Sequence, residues 1–138
     1  MRKLKLWAGS ALAIFVLGCG GTKAVIIDAG SLQTSLSNVR LANGGHRILV
    51  LEGESERRIP LKKIRWIKIS PREVRNRNGH TFYLTEIELR DGAKLMSYRL
   101  KDGRRSQVFV CVEDVIMART PNGTLRLDLS RVSKVTFE

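Results

Sequence analysis

Few residues of this chain have side chains suited to acid–base, nucleophilic or metal chemistry, and the sequence keeps them apart. His46 and His80 are the two histidines. Each sits beside a glycine turn (Gly44-Gly45-His46 and Gly79-His80), with no Cys, His or carboxylate at metal-ligand spacing. They read as surface turn residues. Cys111 lies in Val108-Phe109-Val110-Cys111-Val112, which is apolar on both faces of a strand. It reads as a small buried hydrophobe, since a reactive thiol needs an exposed, electropositive setting. Glu52, Glu54 and Glu56 alternate, and clustered carboxylates can bind a cation or move protons. Gly53 and Ser55 between them instead predict a solvated hairpin tip facing Arg57 and Arg58. The chain has no Gly-x-Ser-x-Gly elbow and no phosphate-binding glycine loop. The expectation is therefore a non-enzymatic protein with no catalytic residue, no cofactor and no metal site.

The residues that do concentrate are basic. Residues 57–77 hold Arg57, Arg58, Lys62, Lys63, Arg65, Lys68, Arg72, Arg75 and Arg77 against Glu73 alone, a local net charge of +8. The bland reading is a solvated face whose charges keep a strand edge from pairing. The functional reading is a site for an anionic surface, made of Lys62, Lys63, Arg65, Trp66 and Lys68 on a strand–turn–strand element. Arg72, Arg75 and Arg77 would follow on a flexible loop. Basic groups around an aromatic suit nucleic acid in a cytosolic protein, so the compartment decides the ligand.

The first residues address the compartment. Met1-Arg2-Lys3-Leu4-Lys5 is a positive start, and Leu6 to Leu17 is an uncharged, largely apolar stretch of 12 residues. That is too short to span a bilayer of ~30 Å and fits an export signal. It ends in Val16-Leu17-Gly18-Cys19, which resembles the lipobox of bacterial lipoproteins, with Val16 and Leu17 departing from the commonest residues there. The resemblance implies a signal peptide over 1–18, cleavage before Cys19 and acylation of that cysteine. Gly20 after it implies sorting to the outer membrane, facing the periplasm, in a Gram-negative cell. With Cys19 acylated, Cys111 has no disulfide partner. An ordinary secretory signal cut near Gly20 or Gly21 is the alternative. Export argues against nucleic acid and for anionic lipid, lipopolysaccharide or an envelope protein as the partner.

The elements that must position these residues are strands. A short linker, 19–23, leads at once into strand-like Ala24 to Ile27. Asn43-Gly44, Asn78-Gly79, Asp91-Gly92, Asp102-Gly103 and Asn122-Gly123 supply hairpin turns. Strands are expected at Arg47 to Leu51, Thr81 to Leu89, Lys94 to Leu100 and Gln107 to Val112, with Ile87 and Leu89 on a buried face. Residues 59–69 line up with 127–137 as apolar-x-apolar-x-x-apolar-x-x-apolar-x-apolar. Period two is a strand and the steps of three are one tight helical turn, so each copy predicts strand, turn, strand. A weaker copy runs Val110, Val112, Val115, Ala118, Thr120. Pro60 places the first copy at an edge or bulge. The element resembles the last corner of small Sm-like and Src-homology barrels. The expected fold is all-β, a small antiparallel barrel or barrel-like sheet over 24–138 behind a signal-peptide helix. An internal duplication, with sub-repeats near 24–75 and 80–138, is left open.

Together these readings make the chain a lipid-anchored bacterial envelope protein whose β-domain is an interaction module with a basic face. The alternative is a structural subunit of a larger envelope complex whose charge is only solubilising.

Overall fold

The computed structural model describes residues 21–43 and 45–138; the signal segment, Cys19, Gly20 and Gly44 lie outside them. The fold is all-β, as expected: a strongly curled antiparallel half-barrel. Its strands are β1 (Ala24–Asp28), β2 (Gln33–Leu41), β3 (Arg47–Glu52), β4 (Ser55–Pro60), β5 (Ile64–Arg77), β6 (His80–Leu89), β7 (Lys94–Leu95), β8 (Tyr98–Arg99), β9 (Arg105–Ser106), β10 (Val108–Cys111), β11 (Val115–Thr120), β12 (Gly123–Asp128) and β13 (Val132–Phe137). The main sheet runs β12-β11-β2-β1-β13-β5-β6-β10-β3-β4, with β7 added to β6, while β8 and β9 form a separate small ribbon.

Two single-turn 3-10 helices, Leu61–Lys63 and Leu129–Arg131, join β4 to β5 and β12 to β13. They are the steps of three in the repeat. The leading leucine of each turn is buried, Leu61 at 3% and Leu129 at 1% exposure. Behind them Ile64, Ile67 and Ile69 match Val132, Val135 and Phe137 in the same core. Pro60 ends β4, the strand at one edge of the sheet, where a missing N–H breaks no ladder.

The copies are related in space as well as in sequence. Ile67 pairs with Val135, its equivalent 68 positions on, and Trp66 with Thr136 and Lys68 with Lys134 on either side. An approximate two-fold axis therefore passes between β5 and β13. The same offset carries the β3–β4 hairpin onto the β11–β12 hairpin with its register intact, since Ile48↔Ile59 becomes Ile116↔Leu127. On one side of the axis lie β13, β1, β2, β11 and β12; on the other lie β5, β6, β10, β3 and β4. Each side thus mixes strands from both halves of the chain. Residues 24–75 and 80–138 do not form separate barrels: they exchange strands and share one core.

Two local devices shape the curl. An extra residue in β2 at Asn38 (φ 52°) shifts the β2–β11 register and turns β2 from pairing with β1 to pairing with β11. In β5 the register with β6 jumps between Ser70 and Val74, so Pro71, Arg72 and Glu73 bulge out. Beyond that bulge the chain is still strand. This corrects the expected flexible loop: Arg75 and Arg77 pair with Phe82 and His80 on β6.

The apolar residues fall into two clusters. The larger lies on one face of the curled sheet and draws on strands from β1 to β13. The smaller comprises Leu49, Leu51, Phe82, Phe109 and Cys111 on the opposite face of β3, β6 and β10. This explains why β10 is buried on both faces, and why Cys111 is only 2% exposed, as its neighbours suggested.

Candidate functional site

The residues of the basic segment do not form one face. Strand alternation and the bulge sort them into three groups.

Lys62 and Lys63 stand exposed on the first 3-10 turn, and Lys62 lies beside Gly21, the first described residue. A hollow of about 340 Å³ lined by Thr22, His46, Arg47, Pro60, Leu61 and Lys62 lies on one side of that point. On the other side a second hollow of about 390 Å³ is lined by Gly21, Thr22, Lys23, Lys62, Arg90 and Glu138. Arg90 ties the turn down: its Nε donates to the Lys62 carbonyl at 3.0 Å and a terminal nitrogen donates to the Glu138 carbonyl at 2.9 Å. Arg65 joins this end, donating to the Arg90 carbonyl at 3.3 Å while pairing with Glu88 at 3.0 Å. Lys23, Arg47 and Arg90, remote from residues 57–77 in sequence or just outside them, were not visible as members of this patch. Their shared location depends on β13, β1 and the β2–β3 connection meeting the turn.

Trp66 and Lys68 occupy the face of β5 opposite the core-facing Ile67 and Ile69. Lys68 Nζ lies 5.6 Å and Lys134 Nζ 5.5 Å from the Trp66 ring. Lys68 and Lys134 are directly opposed across the two-fold, a like-charge pairing that is unfavourable in a sheet. The electron-rich indole face between them offsets part of that repulsion.

Arg75 and Arg77 are neutralised. Glu54 reaches Arg77 at 2.7 Å and Arg75 at 3.6 Å, and Glu56 accepts from Asn78 at 3.0 Å. The glutamates at the β3–β4 tip therefore turn toward β5; of the expected Arg57 and Arg58 contacts only Arg57–Glu52 forms, at 3.1 Å. Arg75 also lays its guanidinium over Phe109 at 4.8 Å, roofing the smaller cluster. Arg75 thus packs on the smaller cluster, Arg77 is held by Glu54, and Arg72, on the exposed bulge, is turned to solvent.

A cluster that spacing alone does not reveal lies at the margin of that smaller core. The β6–β10 register sets Cys111 opposite Phe82, and two residues further on, past the end of β10, Glu113 comes alongside His80. His80 Nδ1 and Glu113 Oε1 are 2.9 Å apart, and the Thr81 N–H donates to Glu113 Oε2 at 3.2 Å. Ligand-type atoms of His80, Cys111 and Glu113 all lie within 4.8 Å of one another. His80 is thus no solitary turn residue; the partners it lacked in sequence are supplied by β10, some thirty positions away. The His80 hydrogen bond, chiefly, pulls the Glu113 carboxyl below its ordinary value. Burial pushes the Cys111 thiol up. Burial likewise raises Asp114, against the Leu49 amide and Arg58, and its Oδ2 is buried with no hydrogen-bond partner among the described residues.

Compared with known proteins, the chain matches no protein-family model and no curated protein.

Proposed function

We propose that this protein is a lipid-anchored, non-enzymatic envelope protein. In this reading its β-domain rests on an anionic membrane surface through the end that holds Gly21. The anchor rests on the lipobox-like Val16-Leu17-Gly18-Cys19. Two acyl chains hold a protein on a bilayer stably, because each buried methylene contributes ~0.8 kcal/mol. The observation that carries the surface contact is the ring of Lys23, His46, Arg47, Lys62 and Arg90 around Gly21 and Thr22.

Gly21 lies two residues after Cys19, so an acyl anchor there brings this end within a few residues' reach of the headgroups. At ~3.5 Å per extended residue the tether spans under about 10 Å, comparable to the Debye length of about 10 Å at 0.1 M salt. Charges at that range are felt. Glu138 is the acid at the same end, and Glu88 offsets Arg65. The outer membrane, facing the periplasm, is the site that Gly20 favours, and phosphate groups of lipid or lipopolysaccharide are the chemistry this end fits.

Two measurements test the reading. Mass spectrometry of native material is expected to show a diacyl-modified Cys19 at the start of the chain; an intact leader or a bare thiol overturns the anchor. The Cys19→Ser chain is then expected to bind phosphatidylglycerol vesicles at 50 mM salt and not at 1 M, and to ignore phosphatidylcholine. Each Lys or Arg near a charged surface contributes about 1 kcal/mol. Neutralising Lys23, Arg47 and Lys62 together therefore weakens binding roughly a hundredfold. Retention that is insensitive to salt, or unchanged in that triple variant, overturns the electrostatic contact.

A further inference from the structure

We propose that His80, Cys111 and Glu113 form a three-ligand site for one zinc-class transition-metal ion. The donor set is an imidazole nitrogen, a thiolate sulfur and a carboxylate oxygen. Such a set suits zinc and its neighbours and does not suit magnesium or calcium, which take oxygen ligands.

The geometry needs little change. Tetrahedral zinc with bonds of about 2.0 Å to nitrogen and oxygen and about 2.3 Å to sulfur sets its ligand atoms about 3.3–3.6 Å apart. His80 Nδ1 and Glu113 Oε1 stand at 2.9 Å and must part by a few tenths of an ångström. The sulfur, within 4.8 Å of a ligand atom of each residue, must approach by up to about 1.3 Å. The His80 and Glu113 side chains are 46% exposed and Cys111 lies beneath them. An ion therefore enters from solvent and meets the sulfur at the floor.

The surroundings already hold the ligands in place. The Thr81 N–H orients the Glu113 carboxylate from its far oxygen, as outer partners of metal-bound carboxylates do. The Phe82 ring stands edge-on to the His80 imidazole, centroids 6.4 Å apart, and limits its rotation. The thiol at the floor keeps its proton in an apolar setting; the ion replaces that proton, which leaves to solvent, and the sulfur binds as thiolate. Next in sequence, Asp114 carries a buried oxygen with no hydrogen-bond partner among the described residues. Three protein ligands leave a fourth position open to water.

The full chain, purified in detergent and stripped of metal, is titrated with Co²⁺ as a spectroscopic stand-in for Zn²⁺. The expected result is one equivalent bound, with a sulfur-to-cobalt charge-transfer band that Zn²⁺ displaces. Cys111→Val, which keeps the slot filled by an apolar side chain, is expected to abolish the band while the circular dichroism of the sheet is unchanged. His80→Gln and Glu113→Gln, both on the surface, each weaken binding at least about tenfold. Affinity rises with pH, because the thiol proton must leave. Failure to bind one equivalent, or a band that survives Cys111→Val, overturns the site. So does a band that Cys19→Ser removes, since the thiolate is then the other cysteine.

Discussion

Truncating the two corner leucines measures how far the repeated turns support the curled sheet. Leu61 and Leu129 are 3% and 1% exposed and point into the one large core. Replacing either by alanine removes three carbons, about 2.4 kcal/mol of lost transfer at ~0.8 kcal/mol per methylene. The incompletely collapsed void adds about 1 kcal/mol if some 40 Å³ remains, at about 24 cal/mol per Å³. Each variant is therefore expected to lose roughly 3 kcal/mol. The turns lie at opposite ends of the β5–β13 pair, because Ile64 begins β5 where Phe137 ends β13. About six strand residues, or ~20 Å, separate them. Sites that far apart add to within about 0.5 kcal/mol. The double variant then loses about 6–7 kcal/mol, comparable to the whole stability of many domains of 5–15 kcal/mol.

The contrasting pair sits on the two-fold. Ile67→Val and Val135→Ala change residues that face each other, so their double variant departs from additivity by at least about 0.5 kcal/mol. Urea unfolding of the full chain, followed by backbone circular dichroism, reads both cycles through the midpoint at constant slope. A loss below about 1 kcal/mol for Leu61→Ala, or strong coupling between Leu61 and Leu129, refutes the placement of the turns as two separate corners of one core.

Two further predictions bear on the smaller cluster and its margin. Arg75→Ala removes the guanidinium roof from Phe109 and one partner of Glu54, and is expected to lower stability by about 1–2 kcal/mol in the same assay. Arg72→Ala, on the exposed bulge, should change it by less than about 0.5 kcal/mol, and equal effects would show that the roof contributes nothing. Asp114 gives a pH signature. Its folded-state carboxyl lies above the ordinary 3.8, so the folded chain holds this proton more tightly than the unfolded chain. That contribution is complete below the ordinary value and lost as pH rises through the folded one. Melting temperature, measured with chelator present, should fall for the wild type relative to Asp114→Asn as pH rises from about 4 toward neutrality. Glu113, held below its ordinary 4.5 mainly by His80, works in the opposite sense below that value and is common to both proteins. A wild-type and variant difference that does not change with pH refutes the effect of burial on the Asp114 carboxyl.

The sequence alone determined the all-β class, the strand–turn–strand unit at 59–69 and 127–137, and the burial of Cys111. These follow from local periodicity and composition, which a chain carries in any context: apolar spacing sets which side faces inward, and a strand apolar on both faces must be covered twice. The tertiary structure decided what depends on strand order. Only pairing Ile67 with Val135 makes the repeat a two-fold, and only the rolled sheet divides one run of nine basic residues into an exposed end, an indole-centred pair and two arginines held by Glu54 and Glu56. The same holds for His80, Cys111 and Glu113. Their proximity is a property of β6 lying beside β10, and hydrogen-bonded register between strands thirty residues apart leaves no spacing in the chain from which to read it.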